Sequence, residues 1–257
     1  MKEFYICSDI HNFFNEWMTA LKENEFDIKN KEHILIICGD LFDRGNQAVE
    51  CYEFVKELNK QKRLIYIKGN HEDLLFDCVK ELKEYGGCAR SHHYSNGTVD
   101  TCVQFMGKGI LQEVLEFIEK NTVDYYELGK YIFVHSYIPT YNNKKEVHHT
   151  QNISHKYNPN WRNANKEEWE SARWGNPFEI YKQGIYEPNK IIVSGHWHCS
   201  TGNKIKGIVK NEFPNKDEEL KIAFTPAVFD NFIGIDACTA YSGKVNVLVL
   251  NEEEIGE

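Results

Sequence analysis

Five short polar segments, each following an apolar run, constrain the fold of this chain more than any other feature. Each segment offers carboxylate, amide or imidazole side chains within a few residues. They are Asp9-Ile10-His11, Gly39-Asp40-Leu41-Phe42-Asp43-Arg44-Gly45, Gly69-Asn70-His71-Glu72, Val134-His135-Ser136 and Gly195-His196-Trp197-His198. A buried strand that ends in a loop produces this pattern. One such segment has many explanations, but five in series predict strand ends that share a site.

The first third of the chain alternates between strand-like and helix-like patterns. Continuous apolar runs predict buried strands at 3–7, 33–38 and 63–67. Apolar residues at helical spacing predict a helix after each strand, at about 13–21, 49–58 and 73–84. This β-α order predicts crossover helices and a sheet whose strand ends lie at one edge. We expect the loops 8–12, 39–45 and 68–72 to cluster there.

The rest of the chain predicts a second sheet. A helix over about 108–120 is followed by a predicted hairpin of 123–128 and 131–134. Further strands are predicted at 190–194, 221–224, 231–235 and 244–250. Late strands without helices favour an α/β fold in which a two-sheet β-sandwich is flanked by helices. We expect one domain over 1–257, with a surface insertion or lid at about 141–170, where apolar periodicity is weak.

The spacing of the polar side chains favours metal binding. In extended backbone, the side chains of residues i and i+2 point to the same side, so Asp9 and His11 are expected to bind one ion. His196 and His198 are expected to present their imidazoles side by side for the same reason. Mixed carboxylate and imidazole ligands suit manganese, iron or zinc better than calcium. A carboxylate such as Asp40 can bridge two cations about 3.5–4 Å apart, which polarise a phosphate and acidify a shared water.

The ordered set of segments resembles the calcineurin-like metallophosphoesterases. The longer forms at 39–45 and 69–72 resemble the phosphoprotein phosphatase branch, which includes serine/threonine phosphatases, phage-lambda-type phosphatases and symmetrical diadenosine tetraphosphate hydrolases. The resemblance runs from Asp9 to the C-terminal strands and implies that family's α/β/β/α fold. It also implies a binuclear-metal-dependent phosphoesterase in which a metal-bound hydroxide attacks the phosphate ester.

The resemblance implies a role for each matched residue. The ligands implied for the first metal are Asp9, His11, Asp40 and His198, and those for the second are Asp40, Asn70, His135 and His196. His71 is implied to protonate the leaving-group oxygen, and Asp43 to orient it. The residues implied to bind the substrate phosphate are Arg44, Arg173 and Asn70.

Two departures from the branch pattern affect these roles. Asn12 stands where the branch usually has glycine, and asparagine tolerates the positive φ that such a turn requires. Many branch members keep only the first histidine of the final Gly-His-x-His motif, which here is His196 rather than His198. A partial match to the branch motif Asn-Gly-Gly-x-x-Thr occurs at 96–101.

Other polar and aromatic residues have simpler explanations. The pairs His92-His93 and His148-His149 are expected at the surface, because they lie in polar sequence without partners at defined spacing. A contact of Glu72 and Asp73 with the site is one interpretation, but the acidic first turn of the following helix explains both residues. Trp161, Trp169 and Trp174 either line a substrate groove or pack the insertion onto the core.

Composition limits the classes of partner. The net charge of −9 disfavours binding to a nucleic-acid backbone. No run approaches the ~20 apolar residues of a membrane span, and the N-terminus lacks a signal-peptide pattern. None of the eight cysteines forms a Cys-x-x-Cys pair, and free thiols fit a reducing compartment. We therefore expect a soluble, cytoplasmic protein.

Three functions remain open from the sequence. The first is a serine/threonine-type protein phosphatase, and the alternative enzyme is a dinucleoside polyphosphate hydrolase of the diadenosine tetraphosphate type. Both use the same motifs, so the expected partner is a phosphorylated substrate, either a phosphoprotein or a nucleotide. The loops near 86–106 and 141–170 are expected to choose between them. A catalytically silent protein-binding scaffold is disfavoured, because His71, Asp43 and Arg44 are all present.

Overall fold

Two five-stranded β-sheets form the centre of the computed structural model, which describes residues 2–142 and 154–256. In chain order the strands are β1 (Glu3–Cys7), β2 (His33–Cys38), β3 (Leu64–Ile67), β4 (Thr122–Val123), β5 (Tyr125–Leu128), β6 (Tyr131–Val134), β7 (Tyr141–Asn142), β8 (His155–Lys156), β9 (Ile191–Ser194), β10 (Ala227–Val228), β11 (Phe232–Gly234) and β12 (Leu248–Asn251). The first sheet has the order β12-β1-β2-β3-β4, the second has the order β10-β11-β9-β6-β5, and β7 pairs with β8.

Helices cover the sheets and join the parallel strands. They are α1 (Phe14–Glu23), α2 (Ala48–Lys60), α3 (Asn70–Glu84), α4 (Ser91–Ser95), α5 (Thr98–Lys108), α6 (Leu111–Asn121), α7 (Lys166–Ala172), α8 (Pro177–Lys182), α9 (Cys199–Ile205), α10 (Asp217–Ala223), α11 (Thr239–Ser242) and α12 (Glu252–Ile255), with a 3-10 helix at Trp161–Asn163. Within the described residues, no helix combines the length and the apolar character needed to cross a bilayer.

The centre of each sheet is parallel. In the first sheet β1, β2, β3 and β4 run parallel, and β12 is antiparallel to β1. In the second sheet β6, β9 and β11 run parallel, and β5 and β10 are antiparallel edge strands. Carboxyl ends of parallel strands meet at one edge. The topology therefore gathers the loops after β1, β2 and β3, and those after β6, β9 and β11.

Alternation along the strands creates separate hydrophobic layers. Phe4 and Ile6 of β1 belong to the core between the sheets, whereas Tyr5 and Cys7 face the helices that cover the first sheet. In β6, Phe133 belongs to the core between the sheets and Ile132 to the cluster on the outer face of the second sheet. This period of two is the signature of strands that are buried on both faces. The predicted two-sheet sandwich flanked by helices is confirmed.

Several element boundaries differ from the prediction. The strand predicted at 221–224 is wrong, because Asp217–Ala223 forms α10. Three acidic residues open that helix, where they interact favourably with the helix dipole, and Ala223 packs in a small cluster with Val209 and Phe224. The predicted helix at 73–84 begins earlier, at Asn70. Gly109, with φ of 70°, ends α5 before α6 begins, so the helix predicted at 108–120 starts later.

The expected insertion at about 141–170 is described only in part, because 143–153, which include His148-His149, lie outside the described residues. In the described remainder, Trp161 and Trp169 are buried, and the Trp169 ring stacks on Tyr125 of β5 at 5.4 Å. These two tryptophans therefore pack against the second sheet rather than line a groove.

His93 lies in the interior, so its expected place at the surface is wrong. The side chain is completely buried, with Nε2 3.5 Å from Oε2 of Glu81 on α3. Helix α4, which carries His93, packs against α5, and this tertiary contact has no signature in the local sequence.

Candidate metal centre and active site

The carboxyl ends of six parallel strands deliver the polar side chains to one region. Backbone hydrogen bonds join the loops. Asp9 N–H donates to Gly39 O at 3.1 Å, and Gly195 N–H donates to His135 O at 2.8 Å. These bonds tie the end of β1 to the end of β2, and the end of β9 to the end of β6. Side chains far apart in sequence are thereby fixed at the same sheet edge.

The backbone at the metal-ligand candidates is left-handed, not extended. The φ angles are 51° at Asp9, 52° at His11, 54° at Asp40 and 66° at His196. The expected side-by-side geometry of an extended chain is therefore wrong at these positions. Non-glycine residues adopt this region at a cost and cluster in functional sites. Asn12, in place of the branch glycine, has φ of 61° as expected.

Two groups of potential metal ligands share one carboxylate. One consists of His11, Asp40 and His71, and the other of Asp40, His135 and His196, with the ligand atoms of each group within 4.8 Å of one another. His11 Nε2 lies 3.8 Å from Asp40 Oδ2, whereas His135 Nε2 lies 3.4 Å from Asp40 Oδ1. Each oxygen of the Asp40 carboxylate thus faces a different group. This arrangement suits a bridge between two cations.

Hydrogen bonds fix which nitrogen two of the histidines present. His11 Nδ1 donates to the carbonyl oxygen of Phe42 at 2.8 Å, and His135 Nδ1 donates to that of Cys38 at 2.9 Å. Because a carbonyl oxygen can only accept, Nε2 of each neutral ring is left with a free lone pair. Asn70 Oδ1 lies 2.7 Å from His135 Nε2.

The remaining candidate metal ligands, His196 and Asp9, lie in the same place. His196 Nδ1 lies 3.1 Å from His135 Nε2. Asp9 Oδ2 accepts the His196 backbone N–H at 2.9 Å, and Asp9 Oδ1 lies 4.0 Å from His11 Nε2. The ring nitrogens and carboxylate oxygens therefore converge on the same small space.

Burial sets the protonation of these groups. It lowers the pKa of His11, His135 and His196, in the last case to about 3. Neutral imidazole is the form that binds metal. Burial, with the charges of Asp236 and Asp40, raises the pKa of Asp9, so these carboxylates repel one another. Cations between them would relieve that repulsion. The donor set therefore fits a pair of cations that accept imidazole and carboxylate ligands.

His71 differs from the other histidines in its partners. Its Nδ1 lies 2.8 Å from Oδ2 of Asp43, which also accepts the Thr98 hydroxyl at 2.7 Å. Burial disfavours the imidazolium, but the carboxylates of Asp40 and Asp43 outweigh burial and raise the pKa of His71. The Asp43 carboxylate therefore fixes the orientation of the ring, and together with Asp40 it favours the protonated form.

A cavity of about 300 Å³ opens onto these residues. Eight of the predicted site residues lie in its wall, namely Asp9, His11, Asp40, Arg44, Asn70, His71, His196 and His198. His135 contacts Asn70 and Asp43 contacts His71, so both lie next to residues of the cavity wall. His198 belongs to neither ligand group, and its Nδ1 lies 2.7 Å from the Ser200 hydroxyl.

Arg173 is not in the wall of this cavity. Its guanidinium is ion-paired with Asp73 and Asp124, beside a second cavity of about 750 Å³. Trp174 lies in the walls of both cavities.

Two acidic residues of the site were given no functional role from the sequence. Glu72 is completely buried and accepts hydrogen bonds from three backbone N–H groups and one hydroxyl, those of Asp40, Leu41, Gly69 and Tyr66. Glu72 therefore joins the segment 39–45 to the segment 69–72, in addition to lying in the acidic first turn of α3. Asp236, buried in the cavity wall, follows the apolar run 232–235. The rule that revealed Asp9 and Asp40 would have found it.

Close contact explains two glycines of the motifs. A Cβ on Gly69 would lie 2.2 Å from Asp40 Oδ1, and one on Gly195 would lie 2.2 Å from Asp9 Oδ2. Any larger residue at either position would displace a candidate metal ligand.

Comparisons with known proteins identify the family of this chain. Residues 2–200 match the family model described as Calcineurin-like phosphoesterase. An asymmetrical bis(5'-nucleosyl)-tetraphosphatase of Anoxybacillus flavithermus is 36% identical over 77 residues, 28% of this chain and 31% of that protein. Serine/threonine-protein phosphatase 1 of Salmonella typhimurium is 32% identical over 73 residues, 28% of this chain and 31% of that protein. Each alignment thus spans under a third of the relative's length.

One solved structure shares the architecture over nearly the whole chain. With the cold-active protein-tyrosine phosphatase of a psychrophilic Shewanella species, the alignment covers 98% of this chain and 76% of that one, at a TM-score of 0.53 and 13% identity. This likeness shows the fold alone. The family match spans well over half of the sequence. The chain belongs to the calcineurin-like phosphoesterase family.

Proposed function

We propose that this chain is a binuclear-metal-dependent phosphoesterase, with serine/threonine phosphoproteins as its first substrate class. The observation that carries the proposal is the pair of ligand groups that share Asp40, with the Asp43-paired His71 beside them. Family membership supports phosphoester chemistry. A silent scaffold has no need for an acid histidine held by a buried carboxylate.

The chain's own residues would hold two cations, which we propose to be manganese, iron or zinc. Asp9, His11 and Asp40 would hold the first, and the second would be held by Asp40, Asn70, His135 and His196. We assign His71 to proton transfer although it lies near the first group, because the Asp43 carboxylate faces its Nδ1 and favours the protonated ring, which has no lone pair for a metal. When bound, the two cations supply Lewis-acid polarisation of a phosphate oxygen and acidify a water molecule.

The other steps belong to the side chains in the cavity wall. Arg44 would bind the nonbridging oxygens, where charge accumulates as the phosphoryl group transfers. His71 Nε2 would donate a proton to the leaving-group oxygen as the bond from phosphorus to that oxygen breaks. Asp43 keeps Nδ1 protonated and aims the ring. Water supplies the oxygen of the phosphate that is released.

A second candidate substrate is a dinucleoside polyphosphate. It is favoured by the match to the Anoxybacillus flavithermus protein, whose name gives a bis(5'-nucleosyl)-tetraphosphatase activity. The same metal pair and acid would serve, because hydrolysis of a phosphoanhydride also breaks a bond from phosphorus to oxygen and expels an oxyanion. A cytoplasmic location is part of the proposal for either substrate.

Parallel assays test the proposal. Manganese-supplemented protein is given a phosphoserine peptide, a phosphothreonine peptide and diadenosine tetraphosphate at equal concentrations. We expect metal-dependent release of inorganic phosphate from the peptides, with a higher kcat/KM than for the dinucleotide. A reversed ranking would select the second candidate. No metal-dependent turnover of any phosphate substrate would reject the phosphoesterase itself.

A further inference from the structure

Two consecutive residues of the candidate active site have a left-handed backbone. The φ angles are 78° at Asp43 and 64° at Arg44. Such angles are costly for non-glycine residues and persist only where the surrounding structure holds them. Asp43 is buried and tied to His71 and Thr98, whereas Arg44 is exposed in the wall of the cavity at the candidate metal centre. Arg44 therefore needs neighbours that hold its backbone.

The junction between α4 and α5 supplies the contacts that hold Arg44. The Arg44 backbone N–H donates to the carbonyl oxygen of Asn96 at 3.1 Å. Gly97, with φ of 79°, packs so closely that a Cβ there would lie 2.5 Å from the Arg44 nitrogen. Asn96 also lies in the wall of the same cavity. Because Asn96 is the residue that ends α4, the position of Arg44 depends on the position of this helix.

One carboxylate of α3 anchors α4. This helix has only five residues, Ser91–Ser95, so it has little stability without tertiary contacts. Glu81 accepts the Arg90 backbone N–H at the start of α4 at 2.9 Å and also binds the Arg90 guanidinium. Oε2 of Glu81 lies 3.5 Å from Nε2 of His93, which is completely buried. Glu81 is itself only 4% exposed, so a buried charge serves to fix the start of this short helix.

We propose that Glu81 is a positioning residue that, through α4, holds Arg44 in place for the substrate phosphate. This inference rests on the proposed function. The contacts run from Glu81 along α4 to Asn96 and from there to the Arg44 backbone. A separate contact, from Thr98 to Asp43, depends on α5, which packs against α2 and α3. Loss of the anchor should therefore weaken phosphate binding more than it disturbs proton transfer.

The Glu81→Gln substitution tests this role, because it removes the charge and keeps the size of the side chain. KM and kcat are measured on the phosphorylated substrate, and the dissociation constant of inorganic phosphate is measured by calorimetry on manganese-loaded protein. We expect KM and the phosphate dissociation constant to rise about fivefold, with kcat within about twofold of the wild-type value. Glu81→Asp is a second variant, which keeps the buried charge but withdraws the carboxylate from Arg90, and should change both constants in the same direction.

A double-mutant cycle shows whether Glu81 acts through Arg44. Arg44→Ala alone should raise the phosphate dissociation constant more than Glu81→Gln does. If Glu81 acts by placing Arg44, Glu81→Gln should cause no further rise in the Arg44→Ala background. Two factors that multiply in the double variant would show that the residues act independently, and would overturn the inference.

Glu84→Gln is the matched control. It removes one negative charge from the same helix, but Glu84 is exposed, so KM and phosphate affinity should stay unchanged. A rise equal to that of Glu81→Gln would show a general charge effect and contradict the positioning role. If Glu81→Gln lowers Tm but leaves KM and phosphate affinity at the wild-type values, Glu81 is structural only and the inference is wrong.

Phosphate binding separates this inference from the proposed function. If no substrate is hydrolysed, the phosphoesterase proposal fails, but calorimetry still decides whether Glu81 acts through Arg44, because it measures binding without turnover. If the wild type turns over and the cycle shows no coupling, the proposed function stands and the inference is wrong. A wild-type protein that binds no phosphate would also overturn the inference.

Discussion

Three buried histidines of this site differ in the group that their Nδ1 atom contacts. His11 and His135 donate Nδ1 to backbone carbonyls, which bear no full charge, so burial lowers their pKa and keeps them neutral. His71 has its Nδ1 against the Asp43 carboxylate and a raised pKa. One residue type therefore provides both neutral rings that are suited to metal binding and a ring whose surroundings favour protonation.

The His71→Asn substitution should reduce kcat about 10²–10⁴-fold, because a positioned general acid contributes a factor of that size. Asparagine keeps a polar side chain but has no ionisable proton that it could transfer to the leaving group. The measurement is kcat on a phosphopeptide, with metal content per chain by elemental analysis. We expect the metal content to stay unchanged.

Thr98→Val is the graded control for that result. It removes one hydrogen bond to Asp43 Oδ2 and leaves the imidazole–carboxylate pair in place, so its loss of kcat should be much smaller. Full activity in His71→Asn would refute the assigned role of His71.

At the scale of elements, one arginine attaches the segment after residue 154 to the second sheet. Arg162 Nε contacts Glu127 Oε1 on β5 at 2.5 Å, and Arg162 Nη1 contacts Glu187 Oε1 at 3.0 Å. The hydrogen bond from Arg162 lowers the pKa of Glu127. Burial opposes ionisation of Glu187, but hydrogen bonds from Tyr157, Trp161 and Arg162 outweigh burial and lower its pKa.

The Arg162→Gln substitution should lower the unfolding free energy by about 2 kcal/mol at pH 7, the size of a charged hydrogen-bond pair at a half-buried site. Depressed folded-state pKa values stabilise the fold above the ordinary value of 4.5, and this stabilisation is lost as pH falls through the folded-state values. The difference in Tm between wild type and variant should therefore shrink below about pH 4.

Thermal unfolding at pH 7 and pH 3.5 measures this effect. Lys166→Gln is the control, because the pair of Lys166 with Glu170 is solvent-exposed and should contribute little at either pH. A Tm difference for Arg162→Gln that is equal at both pH values would contradict the electrostatic explanation.

For the whole molecule, the packing of the two sheets brings like charges together at the candidate metal centre. Asp9, Asp40 and Asp236 are all buried there, and burial together with the neighbouring carboxylate charge raises the pKa of Asp9 and of Asp236. Residues from both sheets contribute to the two ligand groups. Bound cations would therefore stabilise the packing of one sheet on the other as well as support turnover.

Removal of the metals should lower Tm, and manganese should restore it in a concentration-dependent way. A ligand at 100 times its dissociation constant stabilises the folded state by about 2.7 kcal/mol. Thermal scans after chelation and after manganese addition measure this, with elemental analysis to test for two ions per chain. Asp40→Asn, which alters the shared carboxylate, should lose the response. A Tm insensitive to chelation in a protein shown to contain metal would contradict it.

The sequence by itself determined the alternation of strands and helices, the two-sheet sandwich, and the polar segments at the strand ends. These follow from local periodicity, because the spacing of the apolar residues in a strand or helix shows which of its faces is buried. That spacing is why Asp9, Asp40 and His196 could be named before their neighbours were known.

Only the tertiary structure decided which distant groups meet. The left-handed backbone at Asp9, the four hydrogen bonds to Glu72 and the carboxylate pair around Arg173 depend on contacts across the fold. The same holds for α10. Its apolar residues resemble a short strand in the sequence, but in the fold they pack as a helix in a small cluster with Val209 and Phe224. Local spacing fixes what each element must bury, whereas the partner it buries against is set by packing between elements, which no short stretch of sequence encodes.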